Sequence, residues 1–563
     1  MVKFGFLIIF FLVFFFQTSV GQDYNTGYSA LNYLASDELA GRFPGTDGDE
    51  KSAVYIADKF KAYGLKQGAL DYTQEFNIIN GLKLNSGSLV KINGVELIPD
   101  NNYQPLSFSA DVDNHFDIVY VKDIKDTSLI LENSCALYRL TNASGSIPDY
   151  KDLIELGLLT VERGGKALII VADNDLAIDS EYYSFTFNRS VSRLSIPVIQ
   201  VGREALVELA NNTGYSGKFY NESLYDFIET NENLLKIDLN LKIDMLETTT
   251  FNVVSLITVE NSSDWMIIGA HYDHLGYGGK GSGSRAPELR EIHNGADDNA
   301  SGVAVVLMLA EYYSVHKPDM NIAFVLFGAE EQGLLGSRYF VNNLPSEIQK
   351  IKMMVNFDMV GRLGEDGLSV LGATTATEFD SLLNRFNSDT LKLNLGGGGF
   401  SGSDQASFYS EKIPVLFFTT GMHGDYHTPD DDVDKINFRG LHQIAVLSVK
   451  IINDFAAADP DLTFNQIKQG QGARHGNSMK VKLGIMPDMA SRATDGLIVD
   501  GVTPGGVADR TGFVKGDKIV QLGESKVSGI YEYMHVMSEF NPGDKVKAQV
   551  IREGETIELD IQF

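Results

Sequence analysis

The sequence predicts an α/β protein, a mainly parallel sheet covered by helices, interrupted by a β-rich insertion and followed by a small β-rich domain. Three observations carry this. From about residue 245 to 456, short unbroken apolar runs alternate with helix-spaced segments, as expected of parallel strands buried on both faces. Between 86 and 244 the pattern changes to short strands with turn residues between them. The last stretch, 479–563, returns to short strands and Gly-rich turns. A length of 563 residues suits three or four such units at ~150 residues each.

The elements follow in order. Lys3, the apolar run Phe4 to Phe16, and the small residues Ser19 and Gly21 read as a cleaved secretory signal over 1–21. The run is short of the ~20 residues a membrane span needs. Leu31, Leu34 and Ala35, then Ala53, Ile56, Ala57 and Phe60, are spaced for helices, with Gly41-Arg42-Phe43-Pro44-Gly45 as the loop between. Phe76–Ile79 reads as a strand. In the insertion, Ala167–Val171 and Ile196–Val201 read as strands and Arg203–Asn211 as a helix. In the α/β region, strands are expected at Trp265–Ala270, Asn321–Phe327, Met353–Phe357 and Ile413–Phe418. Helices are expected at Ser301–Ser314, Gly336–Asn343, Thr377–Phe386 and Leu441–Phe455. The first of these is apolar nearly all round and should be buried. The polar, Gly/Gln-rich stretch 457–478 reads as a linker.

Composition narrows the function. Apolar residues make up 44% and charged residues 21%, which excludes a disordered chain, a fibrous repeat or a polytopic membrane protein. The formal charge of −29 repels phosphate backbones, so nucleic acid is not an expected partner. With a single cysteine, Cys135, no intramolecular disulfide or thiolate-only metal site is available. Export without disulfides fits a secreted or bacterial periplasmic protein.

Ligands of an α/β sheet gather at the carboxyl ends of its strands. Here four such ends carry His or carboxylate: His271-Tyr272-Asp273-His274, Glu330-Glu331, Asp358, and Asp425-Tyr426-His427. Asn294-Gly295-Ala296-Asp297-Asp298-Asn299 precedes the buried helix. One His or one Asp in such a place would be read as a satisfied polar group or a helix cap. Their convergence points elsewhere. Two adjacent glutamates at a strand end repel one another, and a bound divalent cation would offset that cost. Imidazoles and carboxylates without thiolate suit zinc or a similar metal.

Taken in order, His271-x-Asp273, Gly295-Ala296-Asp297-Asp298-Asn299, Gly328-Ala329-Glu330-Glu331-x-Gly333, Asn356-Phe357-Asp358 and Tyr426-His427-Thr428 resemble the aminopeptidase Y-like zinc peptidases of family M28. Leu34 to Arg42 resembles the same family's first helix and loop. The resemblance covers 22–85 and 245–456 and implies a zinc-exopeptidase fold with two zinc ions per chain. By motif position, Asp297 bridges both ions, His271 and Asp358 complete one, and Glu331 and His427 complete the other. Glu330 is the general base, and Asp273 orients His271. The resemblance also implies a cis peptide between Asp297 and Asp298. At Ser403-Asp404-Gln405 relatives often carry Ser-Asp-His, so Gln405 departs from the pattern. Gly396–Gly399 reads equally as a mobile pocket loop or as a plain flexible turn.

The insertion resembles a protease-associated domain, which in relatives borders the active-site cleft. The C-terminal region resembles a PDZ domain: Lys482-Leu483-Gly484-Ile485 matches its carboxylate loop, with Lys482 where the first glycine usually stands. That implies capture of an extended peptide C-terminus. Together these resemblances imply a secreted two-zinc aminopeptidase acting on peptides, with no stable membrane span after signal cleavage. The alternatives are a carboxypeptidase of the same family, a glutaminyl-cyclase-like enzyme on a single zinc, and a non-catalytic binding relative. The complete five-ligand set disfavours the last two.

Overall fold

The computed structural model describes residues 20–126, 128–140, 150–172, 193–212, 235–260, 262–279, 281–388, 391–396, 402–466, 481–487, 495–503, 506–529 and 540–563, with a few single positions or pairs between them. Residues 1–19 of the expected signal, most of the Gly396–Gly399 loop and most of the expected linker lie outside these. The chain divides into two compact units, residues 1–78 with 248–469 and residues 79–247 with 470–563.

The first unit is built on a mixed sheet. Its centre runs Asn321–Phe327, Asp264–His271, Lys350–Phe357 and Val415–Thr419, all parallel. Ile243–Ile257 joins one side antiparallel, and Leu368–Leu371 the other. Every residue of Asn321–Phe327 is buried, which explains its unbroken apolar sequence. The helix Gly302–Val315 lies against one face, and its residues Val303 to Ala310 are no more than 3% exposed. Helices Val20–Leu34, Asp47–Ala62 and Phe438–Ala458 pack into the same core, while Phe340 and Phe408 cover the opposite face. Among the described residues no helix is long and apolar enough to cross a membrane.

The second unit holds two sheets. In the insertion, the strands Val112–Val121, Cys135–Leu140, Ala167–Ala172 and Val198–Val201 are parallel neighbours. The helix Tyr150–Glu162 is a feature the sequence reading did not contain; it buries Leu153, Ile154, Leu156 and Gly157. Its spacing is helical, but the surrounding strand signals hid it. The C-terminal sheet runs Ile485–Pro487, Leu497–Val502, Lys518–Leu522, Lys545–Arg552, Glu555–Gln562.

One boundary moves. The expected linker begins at 457, yet the helix Phe438–Ala458 is followed by a docked strap. Phe464 bridges to Ala376, the Asn465 N–H donates to the Thr375 carbonyl at 2.8 Å, and the Phe464 ring lies 5.3 Å from that of Tyr409. A lone aromatic in a polar stretch has no periodicity, so the strap left no pattern to read. Because Phe464 is only half-buried, Phe464→Ala should cost about 1–2 kcal/mol, below the range for a fully buried ring. Urea unfolding of the full chain, followed at the first unit's transition, measures it. No change would mean that the strap does not hold.

Candidate active site

The parallel order of the four central strands brings their carboxyl ends together, and the chemistry sits there. His271 is the last residue of its strand. Glu330 and Glu331 follow Asn321–Phe327, Asp358 follows Lys350–Phe357, and the loop after Val415–Thr419 returns to His427. The acidic turn ahead of the buried helix enters through Gly295, whose φ of 55° and clearance allow no side chain: a Cβ would stand 2.1 Å from the Asp298 carbonyl oxygen.

The centre of the cluster is Asp298. One carboxylate oxygen lies 3.3 Å from His271 Nε2 and the other 3.1 Å from His427 Nε2. Around the first oxygen, Asp358 Oδ1 stands 3.4 Å from His271 Nε2; around the second, Glu331 Oε1 stands 3.2 Å from His427 Nε2. This corrects the expected assignment of Asp297. Its carboxylate turns away from both imidazoles, accepting the Gly361 N–H at 2.6 Å and lying 3.2 Å from His423 Nε2. The cis peptide is displaced by the same single residue, falling at Asp298–Asn299. Neighbours in a turn project to different sides, so an Asp-Asp pair alone does not say which one faces the pocket.

Both imidazoles are oriented from outside by a carbonyl. His271 Nδ1 faces the Asp273 carbonyl at 3.2 Å, and His427 Nδ1 faces that of Gly283 at 3.0 Å. A proton on each Nδ1 donates outward and leaves the Nε2 lone pair aimed inward. The Asp273 carboxylate works mainly on the glutamates: it accepts the backbone N–H of Glu330 at 2.9 Å and of Glu331 at 3.2 Å.

Three contributors were not assigned from sequence. His274 Nδ1 lies 2.8 Å from Glu331 Oε1 and holds that carboxylate from behind. Asp431 accepts the backbone N–H of both Asp297 and Asp298 at 2.9 Å, the counterpart of Asp273. Gln405, the departure from Ser-Asp-His, accepts from the amide of Asn356, two residues before Asp358, at 3.0 Å. His274 was visible as a second His at the same strand end and Gln405 as a departure from the Ser-Asp-His pattern; Asp431 carried no local signal.

The charges are strongly coupled. Burial works against a proton on His427, but the Asp298 and Glu331 carboxylates outweigh it and raise its pKa to about 10. His271 is likewise raised, burial being overcome by Asp358, Glu330 and its hydrogen-bonded neighbours. Burial and Asp298 push Glu331 up, yet hydrogen bonds from His274 and His427 hold it down at about 2. Glu330 is pushed well above the carboxylate range by burial and by Glu331, Asp404 and Asp358. Among the described residues its carboxylate makes no hydrogen bond, which leaves it free to move a proton.

The donors fit cations. Bonds of ~2.0–2.1 Å in a tetrahedral shell put neighbouring donors ~3.3 Å apart, close to the spacings above. Asp358 Oδ1 is buried with no hydrogen-bond partner, as an oxygen reserved for a metal would be. His271, Asp298 and Asp358 form one candidate set; Glu331, His427 and the second oxygen of Asp298 form the other, with His274 alongside.

Residues 252–452 match the model of peptidase family M28, and residues 481–563 match that of the PDZ domain. The chain is 24% identical over 443 residues to aminopeptidase YwaD of Bacillus subtilis, covering 74% of this chain and 81% of that one. It is 35% identical over 128 residues to an aminopeptidase of Pseudomonas aeruginosa, covering 22% of this chain and 21% of that one. Among solved structures, the zinc aminopeptidase BSAP of B. subtilis is 23% identical, with a TM-score of 0.45, 77% of this chain and 95% of that chain being covered.

The proton on His427 has a consequence for the metal-free protein. Its pKa rises from 6.5 to about 10 on folding, so its contribution to stability is complete below 6.5 and disappears as pH rises through 10. In chelator, the thermal midpoint should therefore fall from pH 6.5 to pH 10, and added divalent cation should flatten the trend. A midpoint that rises with pH in chelator would contradict the geometry at His427.

Proposed function

We propose that this chain, which carries an M28 peptidase domain over 252–452 and a PDZ domain over 481–563, is a secreted two-zinc aminopeptidase that removes N-terminal residues from peptides. The observation that carries the reading is the shared Asp298 carboxylate, with one imidazole facing each oxygen. The names of the relatives support zinc and the aminopeptidase direction. The apolar run at the N-terminus supports export, and the PDZ domain supports a peptide C-terminus as a further ligand.

His271, Asp298 and Asp358 would hold one ion, and Asp298, Glu331 and His427 the other. Bound there, two zinc ions would acidify a shared water and polarise the scissile carbonyl. Asp298 would offer one carboxylate oxygen to each. Glu330, buried beside Glu331 at the strand end, takes the proton of the attacking water and delivers it to the leaving amine. Asp273 keeps Glu330 beside Glu331 through their backbone N–H groups. Uptake of cations must displace the protons held by His271 and His427, so zinc binding should release protons and weaken as pH falls.

Metal analysis should find two zinc ions per chain in the wild type. Asp298→Ala should lose both, whereas Asp297→Asn should keep both, because an amide oxygen can still accept the Gly361 N–H. The reverse pattern would return the bridge to Asp297. Glu330→Gln should keep its zinc and lose at least ~100-fold in turnover of an aminoacyl p-nitroanilide. A peptide library read by mass spectrometry tests direction: loss of C-terminal residues instead of N-terminal ones would make the enzyme a carboxypeptidase.

A further inference from the structure

Arg362 ties together three loops that carry candidate metal ligands. It lies four residues beyond Asp358 in the same loop, and the intervening Gly361 donates its N–H to Asp297 at 2.6 Å. Its guanidinium Nη2 reaches Asp431 Oδ1 at 3.0 Å and Asp425 Oδ2 at 3.3 Å. Asp431 is fully buried, and its other oxygen receives the backbone N–H groups of Asp297 and Asp298, the residues that aim the shared carboxylate. Its carbonyl also accepts the Ala296 N–H at 3.0 Å. Asp425 begins the turn around His427: its carbonyl accepts the N–H and the hydroxyl of Thr428. Lys435 Nζ braces Asp425 from outside at 3.1 Å.

Alone, a carboxylate in the position of Asp431 would face the neighbouring acids without a counter-charge. The guanidinium supplies one, and its Nη2 donates to both the Asp431 and the Asp425 carboxylates. With the side chain only 18% exposed, the pairs are screened far less than surface ion pairs.

Resting on the two-zinc reading above, we propose that Arg362 is a positioning residue that fixes Asp298, through Asp431, and His427, through Asp425, relative to Asp358. It couples the two metal half-sites without touching either ion. Removing it loosens the backbone that aims the shared carboxylate and the turn that aims His427. The ligating side chains themselves are unaltered by the substitution.

The test is zinc affinity of the full-length chain, measured by competition with a chromogenic chelator, beside the metal-free thermal midpoint. Arg362→Met should weaken at least one zinc by about tenfold, the usual scale for residues that orient metal ligands. Arg362→Lys should recover part of that loss. Unchanged zinc affinity in Arg362→Met, with or without a lower metal-free midpoint, would overturn the proposal, because a purely structural role predicts that result. Should Arg362→Met fail to fold, Asp425→Asn decides: its partly exposed side chain can be changed without emptying the core, and it cuts the His427 arm. Unchanged affinity there overturns the proposal, and a weakened second zinc supports it. A wild type that binds no zinc removes the two-zinc reading and this inference with it, whereas a wild type with two zinc ions and an indifferent Arg362→Met removes the inference alone.

Discussion

Asp273, Asp297, Asp298, Asp358, Asp404 and Asp431 lie buried around Glu330 and Glu331, where water cannot screen their repulsion. The rest of the catalytic unit is arranged around that constraint. Parallel strands deliver the acids to one place; backbone N–H pairs, buried cations and protonated imidazoles then make the place tolerable. Asp273 and Asp431 each take two successive backbone N–H groups, one pair from Glu330-Glu331 and one from Asp297-Asp298. The same motif serves both acidic dipeptides. In each case the helper carboxylate is satisfied, and the dipeptide's backbone is fixed without using its side chains.

Arg42 shows the same logic at longer range. It is fully buried, yet its guanidinium bonds only backbone carbonyls: Tyr272 at 2.6 Å, Asn294 at 2.6 Å, Gly295 at 3.0 Å, and Leu34. Burial lowers its pKa to about 10, and Asp273, Asp298, Asp431 and Glu331 act against that loss. It remains charged at neutral pH. The N-terminal helix is thereby joined to the loop after His271 and to the turn before Asp298, and a positive charge is placed behind the acids.

How much of this was legible follows from range. The central strands and the buried helix Gly302–Val315 were readable because burial on both sides forces long apolar runs. The meeting of His271, Glu331, Asp358 and His427 in one place was readable because strand ends are where such groups converge. Asp297 and Asp298 were not separable, since the choice rests on side-chain direction within a turn. Arg42, Asp431 and Arg362 were unreadable as site residues for a different reason. Their partners lie far away in sequence, up to 253 residues in the case of Arg42 and Gly295. The strap through Phe464 was missed because one aromatic makes no periodicity.

The two candidate half-sites differ in how they are supported. His271 ends a strand that is buried from Trp265 onward and its side chain is 1% exposed, so the sheet itself fixes it. His427 stands on a loop at φ 56°, its side chain 13% exposed, and it leans on a second loop through the Gly283 carbonyl. That second loop is held in turn by local contacts: Ser284 Oγ meets His293 Nε2 at 2.8 Å, and the Arg285 N–H donates to the His427 carbonyl at 2.9 Å. A ligand on a strand end has one available position, whereas a ligand held between two loops has a range of them. The half-site of Glu331 and His427 is therefore the one whose geometry depends on long-range ties, and it is also the one whose glutamate is gripped by an extra imidazole, His274. Asp298 belongs to both, so any slack in the loop pair reaches the rigid half through a single carboxylate.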